Sequence, residues 1–316
     1  MVMPKKLLPS VLSIVLIGFG TGVNSGRAQT YSQLVLDAGR VPWSSLTYQA
    51  RSFVVDVDVD VRLESLSAEE VEAALIQARQ GTALQVPDQG AYRLTNNIVI
   101  DSIVQPPVKI VNQVWFDPRD ATALGRMRLR QGEDDFKKIC RFTQQGVFRH
   151  RIEPMDDKEA RKEPEKWTDV RDTFYAYNLD QLGCVNASER LLLIYIASAV
   201  EQFEDHQPLS VCVFAKRQLF RVKLEKAGLD PVNVDYIEKN QQDQHHRKEK
   251  VEAYKILLES QPLESDLDEV ENFSFLGFHK NISFFIQPSS RLPLQISGEM
   301  PRAGKVTVKL HEVELK

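Results

Sequence analysis

Two rows of charge alternate with apolar residues in this chain. Asp56, Asp58 and Asp60 stand between valines, and Arg126, Arg128 and Arg130 are separated by Met127 and Leu129. Carboxylates at every second position resemble the start of a calcium loop. An EF-hand loop needs Gly at its sixth position and Glu at its twelfth, and counting from Asp56 those residues are Val61 and Ser67. Strict alternation instead marks a strand, with aliphatics on one face and carboxylates about 7 Å apart on the other. Such carboxylates repel one another unless a basic group stands opposite, and the arginine row has the same period. The pattern predicts a structural charge ladder, Asp56, Asp58 and Asp60 against Arg126, Arg128 and Arg130, each pair contributing about 0.2–1 kcal/mol.

Other reactive residue types fall into no constellation. His245 and His246, with Asp243 and Glu249 nearby, offer metal-ligating atoms. Adjacent side chains on a strand face opposite ways, and no further His or Cys stands close enough to complete a zinc set, so a solvated polar loop is expected. His150, His206, His279 and His311 are scattered singly. Gly18, Gly20 and Gly22 imitate a dinucleotide loop but follow no strand and lack the final glycine. The chain has no Gly-x-Ser-x-Gly elbow. Cys140, Cys184 and Cys212 sit among apolar or strand residues, as packed thiols do. They permit three single pairings, between which the sequence does not choose. Carboxylate pairs for hydrolysis are recognised by their separation in space, and nothing along the chain singles one out. No catalytic residue, metal or cofactor is assigned. Asn186, Asn272 and Asn281 head glycan-acceptor triplets that matter only in a eukaryotic secretory pathway.

Phe273, Phe275, Phe278, Phe284 and Phe285 crowd a short stretch. Such residues pack a core, or on a curved sheet they line a groove in which a lipid or other hydrophobic ligand lies.

The elements that position these residues are mostly strands. Phe53 to Leu63 alternates, and strand signals recur at Tyr92 to Ile100, Val108 to Phe116, Gly125 to Arg130 and Lys137 to Ile152, separated by Gly, Pro and Asp clusters. Ser67 and Glu70 form a capping box ahead of Val71, Ala74, Leu75 and Ala78, which predicts a helix of about three turns ending at Gly81. The charged stretch Met155 to Lys166 has no apolar period and reads as a solvated loop or a hinge dividing the chain. Ser188 to Phe203 is long and apolar enough for a buried helix. Strands resume at Leu209 to Phe214, Gln218 to Glu225 and Val232 to Glu238. After a polar interruption at Lys239 to Lys250 they return at Val251 to Glu259, Ile282 to Gln287, Leu292 to Ser297 and Lys305 to Leu315. Many short strands and few helices predict a mainly β fold, a curved antiparallel sheet or partly open barrel with two or three short helices.

The N-terminus carries Lys5 and Lys6, an apolar run from Leu7 to Phe19, and a small polar exit ending Gly26-Arg27-Ala28. That order predicts a secretory signal cut after Ala28, and the run is too short for a transmembrane anchor. Removing Lys5, Lys6 and Arg27 from the 40 basic residues leaves 37 against 44 acidic ones. A mildly acidic chain of this kind lacks the cationic surface that nucleic acid requires.

In the C-terminal half, the apolar segment Ser188 to Phe203 is followed by paired strands around Leu219 to Glu225. Ile282 to Gln287, the step Arg291-Leu292-Pro293, and a last strand led by Gly304-Lys305 come later. This order over residues 168–316 resembles a family of exported bacterial β-rich proteins classed only as a domain of unknown function. The long polar insert around Lys239 to Lys250 departs from the family's usual form. The resemblance implies a bacterial envelope location and a curved antiparallel sheet, and it implies no catalytic residues. Together these readings predict a periplasmic or secreted protein that binds an apolar or envelope component, or a partner protein. The alternative is a periplasmic hydrolase built on carboxylates.

Overall fold

The alternation of valine with aspartate builds the expected strand: Val59, Val61 and Leu63 are buried, while Arg62 and Glu64 are exposed. The computed structural model describes residues 34–51, 55–102, 105–132, 134–200, 203, 208–263, 272–301 and 303–316. The expected export signal, the glycine run within it, Phe53 and His206 lie outside the described residues.

Two meanders make up the fold. The first comprises β1 (Trp43–Arg51), β2 (Val55–Leu66), helix α1 (Ala68–Ala74), β3 (Ala91–Ser102), β4 (Gln105–Phe116), β5 (Ala123–Gln131), β6 (Phe136–Thr143), β7 (Gly146–Glu153), α2 (Asp157–Ala160) and β8 (Asp169–Ala176). The second comprises α3 (Leu179–Leu182), β9 (Ser188–Glu189), α4 (Leu193–Ala199), β10 (Leu209–Ala215), β11 (Gln218–Lys239), β12 (Gln244–Pro262), β13 (Lys280–Ile286), β14 (Pro293–Met300) and β15 (Gly304–Leu315). Pairing of β1 with β15 joins them into one sheet, ordered β8 through β1 and then β15 back through β9. All neighbours are antiparallel except β9 and β10. Open sheets beyond about ten strands curl because their twist accumulates. This sheet of fifteen does so, and a parallel pairing of β15 with the far end of β11 closes β11–β15 into a ring.

Helix α4 fills the curl. All seven of its residues are buried, as a helix apolar on every side must be. Its polar groups find partners there: the Tyr195 hydroxyl donates to the Pro118 carbonyl at 2.8 Å, and the Trp43 indole donates to Ser198 Oγ at 3.3 Å. The expected buried helix therefore forms, preceded by a 3-10 turn over Arg190–Leu192.

Local differences from the sequence reading have identifiable causes. Helix α1 has its capping box, with Glu70 N donating to Ser67 Oγ and Ser67 N to Glu70 Oε2. It ends after two turns rather than three, because Leu75 takes an extended conformation at its C-cap. From there Leu75 reaches the sheet over Gly125, where a Cβ would stand 2.2 Å from the leucine's Cδ2. Lys137 to Ile152 is a hairpin, β6 and β7, rather than one strand. The polar stretch Lys239 to Lys250 is no interruption: β11 and β12 run through it as a long hairpin. Its turn forms where Asn240 Oδ1 accepts from the backbone N–H groups of Gln242 and Asp243. Residues 244–250 are exposed, and a strand wet on both faces has no apolar alternation to betray it. The charged segment Met155 to Lys166 carries α2 and a 3-10 turn between the neighbouring strands β7 and β8, within the single compact unit Tyr31–Lys316.

Cys184 and Cys212 form a disulfide, and Cys140 is a buried free thiol. The bond ties the chain after α3 to β10 across 28 residues. Loop-closure entropy for that length gives about 3–4 kcal/mol. Cys212→Ser is therefore expected to lower the free energy of unfolding by about 3 kcal/mol in a denaturant titration, and an unchanged midpoint would contradict a structural role for the bond.

A candidate ligand cavity with a basic wall

The inner face of the first meander changes chemistry from strand to strand. Register places Val61, Asn96, Asn112, Arg128, Lys138 and Arg151 side by side from β2 to β7. Beside this row runs Val59, Ile98, Ile110, Arg130 and Phe136. On the other side run Leu63, Leu94, Val114, Arg126, Cys140 and Arg149. Each row is apolar or neutral up to β4 and turns basic at β5.

This geometry corrects the expected charge ladder. Asp56, Asp58 and Asp60 face outward, on the side opposite their buried valines, whereas Arg126, Arg128 and Arg130 share the inner face with those valines. Strands β3 and β4 also lie between the two rows. The aspartates find partners on β1 instead: Arg51 reaches Asp58 with both guanidinium nitrogens, at 2.7 and 3.1 Å, and Thr47 donates to Asp60 at 2.8 Å. Alternation identifies two faces but does not say which is wet. Here α1 covers the outer side, packing Val71 and Leu75 with Trp115, Leu124 and Met127, so the arginines point inward.

The inward arginines are treated unequally. Arg126 donates to Glu189 Oε1 at 2.9 Å across the curl of the sheet, and the Glu189 carboxylate also accepts from Leu191 N at 2.6 Å. Both side chains are buried, 8% and 1% exposed. Arg190, next in the chain, donates to the carbonyl and hydroxyl of Ser274. Arg149 bonds Thr173 and lies over the Tyr175 ring, and Arg151 pairs with Glu153. Arg128 and Lys138 differ. Neither has a carboxylate partner among the described residues, although the buried Nε of Arg128 lacks a hydrogen bond just as those of Arg126, Arg149 and Arg151 do. Both meet the Phe136 ring, Lys138 Nζ at 3.8 Å and Arg128 Cζ at 5.6 Å from its centroid. A cation–π contact contributes about 0.5–2 kcal/mol, less than burying a charge costs. Burial, reinforced by Arg151, Arg128, Arg149 and Arg126, accordingly pushes the Lys138 ammonium down to about 7. Burial and then Arg190, Arg126 and Arg130 push Arg128 down to about 9.

Beside this basic wall lies a cavity of about 280 Å³. Val57, Val59, Ile98, Ile100 and Ile110 form its floor, and Val306 and Val308 of β15 close one side. Leu276, Gly277, Phe278 and Met300 cover it, and Asn112, Arg128, Arg190, Lys216 and Ser274 line its polar part. The cover is a tight turn, in which Phe275 and Phe278 exchange backbone hydrogen bonds. Leu276 and Gly277 both take positive φ there, 48° and 92°.

Of the expected groove residues, Phe278 alone lines this cavity. Phe273, Phe275, Phe284 and Phe285 are packed into the main core, with Phe275 edge-on to Phe284 and Phe273 edge-on to Phe220. The cavity wall comes mainly from aliphatic residues of the first meander, with Val306 and Val308 of β15, and the sequence pattern placed the former only on one face of their strands. Among the candidate metal ligands, His246 Nε2 lies 2.6 Å from Asp235 Oδ1 on the exposed β11–β12 hairpin. No family model matches the chain, and no curated protein or solved structure matches it.

The inner and outer ion pairs should respond differently to substitution. Glu189→Gln leaves Arg126 buried without its counter-charge and is expected to cost about 3–5 kcal/mol of stability. Arg51→Ala removes a half-exposed pair and should cost less than about 1 kcal/mol. Equal losses in urea titrations of the two variants would contradict the burial of the inner pair.

Proposed function

We propose that this is an exported binding protein that holds an apolar ligand in the cavity between the inner face of β2–β4 and the Phe275–Phe278 turn. The observation that carries the reading is the cavity itself, a space of about 280 Å³ walled by aliphatic side chains on rigid strands. Ligand sites are concave and mostly apolar, with a few convergent polar groups, and this one has that composition. Export is supported by the charged, apolar and small-residue order of the N-terminus. The Cys184–Cys212 bond supports it independently, since disulfides persist in oxidising compartments.

A carboxylate-based hydrolase gains no observation in its favour. A general acid needs a raised carboxyl pKa. Hydrogen bonds hold Glu70, Glu159, Glu165 and Asp235 below their ordinary values, and Arg119 does the same for Asp117 against its burial.

The test is calorimetric titration of the exported, purified protein with decanol, a neutral apolar probe. Saturable one-to-one binding is expected, and Val306→Trp, which places a ring in the cavity, should abolish it while leaving the melting temperature unchanged. Absence of decanol binding, or equal binding by the filled variant, would remove the cavity as the site.

A further inference from the structure

We propose that the ligand is an anionic amphiphile whose carboxylate or phosphate headgroup is held by Arg128 and Lys138 at the basic end of the cavity. The inference rests on the reading of the cavity as a binding site and supplies its polar half.

The neighbouring inner cations have partners: Arg126 is matched by Glu189, Arg190 by Ser274, Arg149 by Thr173 and Tyr175, and Arg151 by Glu153. Arg128 and Lys138 are left on facing positions of β5 and β6, both against the Phe136 ring, with no carboxylate partner among the described residues. Arg128 lines the cavity directly, and Lys138 stands beside it on the next strand, outside the lining itself. Unmatched cations are costly in a part-buried setting, and an anionic oxygen group entering from the cavity relieves that cost. A guanidinium also presents two parallel donors that fit a carboxylate or phosphate edge. Because Val59, Ile98 and Ile110 continue the same face away from Arg128, a headgroup placed on the arginine directs its chain into the aliphatic part. At about 30 Å³ per water-sized group, the volume suits a tail on the order of ten heavy atoms.

The depressed Lys138 ammonium agrees with this arrangement: its surroundings are crowded with Arg151, Arg128, Arg149 and Arg126, and an anion beside it would restore its charge.

The test compares decanoate and decyl phosphate with decanol, and with acetate and inorganic phosphate, by calorimetry on the exported, purified protein. At least one of the two anionic amphiphiles is expected to bind roughly ten- to a hundredfold more tightly than decanol, the effect of one or two charge-assisted hydrogen bonds. Whichever is preferred identifies the headgroup. In Arg128→Gln that preference over decanol should fall to near one. Lys138→Gln gives the same comparison on a second residue, and melting curves establish that each variant is folded. If decanol binds as tightly as the anions, or if both folded variants keep the preference, the headgroup assignment is overturned while the apolar cavity stands. If acetate or inorganic phosphate binds as tightly as the amphiphiles, the tail has no part and the amphiphile is overturned. If decanol and the amphiphiles all fail to bind, the cavity reading fails with it.

Discussion

The buried ion pair of Arg126 with Glu189 fixes the β9 edge of this sheet against the inner face of β5. Arg126 belongs to β5, in the first meander, and Glu189 to β9, the last strand of the opposite edge. A curled sheet of fifteen strands needs something to fix where its edge meets its own face, because apolar contacts alone tolerate sliding. Here the carboxylate takes one bond from Arg126 and one from Leu191 N. The backbone bond from Ala123 N to the Ala187 carbonyl and the edge-to-face contact of Phe142 with Phe214 lie along the same seam. Such a pair adds little net stability against an apolar alternative, yet losing one member is costly. Its role in this account is to set the geometry of closure.

That closure determines what happens to the neighbouring charges. Once Glu189 is committed to Arg126, Arg128 and Lys138 face the interior of the curl without a carboxylate of their own among the described residues. They stand there because β5 is covered on its outer side by α1, which takes Met127 and leaves the alternate arginines to point inward. The same inner face is uncharged on β2–β4, aliphatic apart from Asn96 and Asn112, so the change to basic falls at the edge of the cavity. Apolar wall, cationic end and aromatic support thus arise from one cause, the alternation of adjacent strands read across a curved sheet.

Much of the fold was legible in the sequence, because period-two alternation and turn residues mark amphipathic strands well. The Ser67–Glu70 capping box and the buried helix near Tyr195 were legible for similarly local reasons. Less local facts were not. The long hairpin through Gln244–Lys250 is wet on both faces and carries no apolar period. The pairing of Cys184 with Cys212 depends on a meeting of distant segments. Arg126, Arg128 and Arg130 were visible as a row, but their direction depends on a helix formed fifty residues earlier. The phenylalanine cluster drew attention to the correct neighbourhood through Phe278, yet its other members simply pack the core. The cavity is lined by valines and isoleucines that look, residue by residue, like any strand interior.

Arg128 and Lys138 put part-buried positive charge on the inner face with no carboxylate partner among the described residues, and Lys138 reports on it most directly. Its side-chain ammonium can be followed through a pH titration by NMR in the ligand-free protein, with Lys138→Gln to assign the signal. A midpoint of about 7 is expected, rising when an anionic amphiphile is added. A midpoint near the ordinary lysine value of about 10.4 would mean that the group is solvated or paired, and that the inner face carries no unmatched charge there.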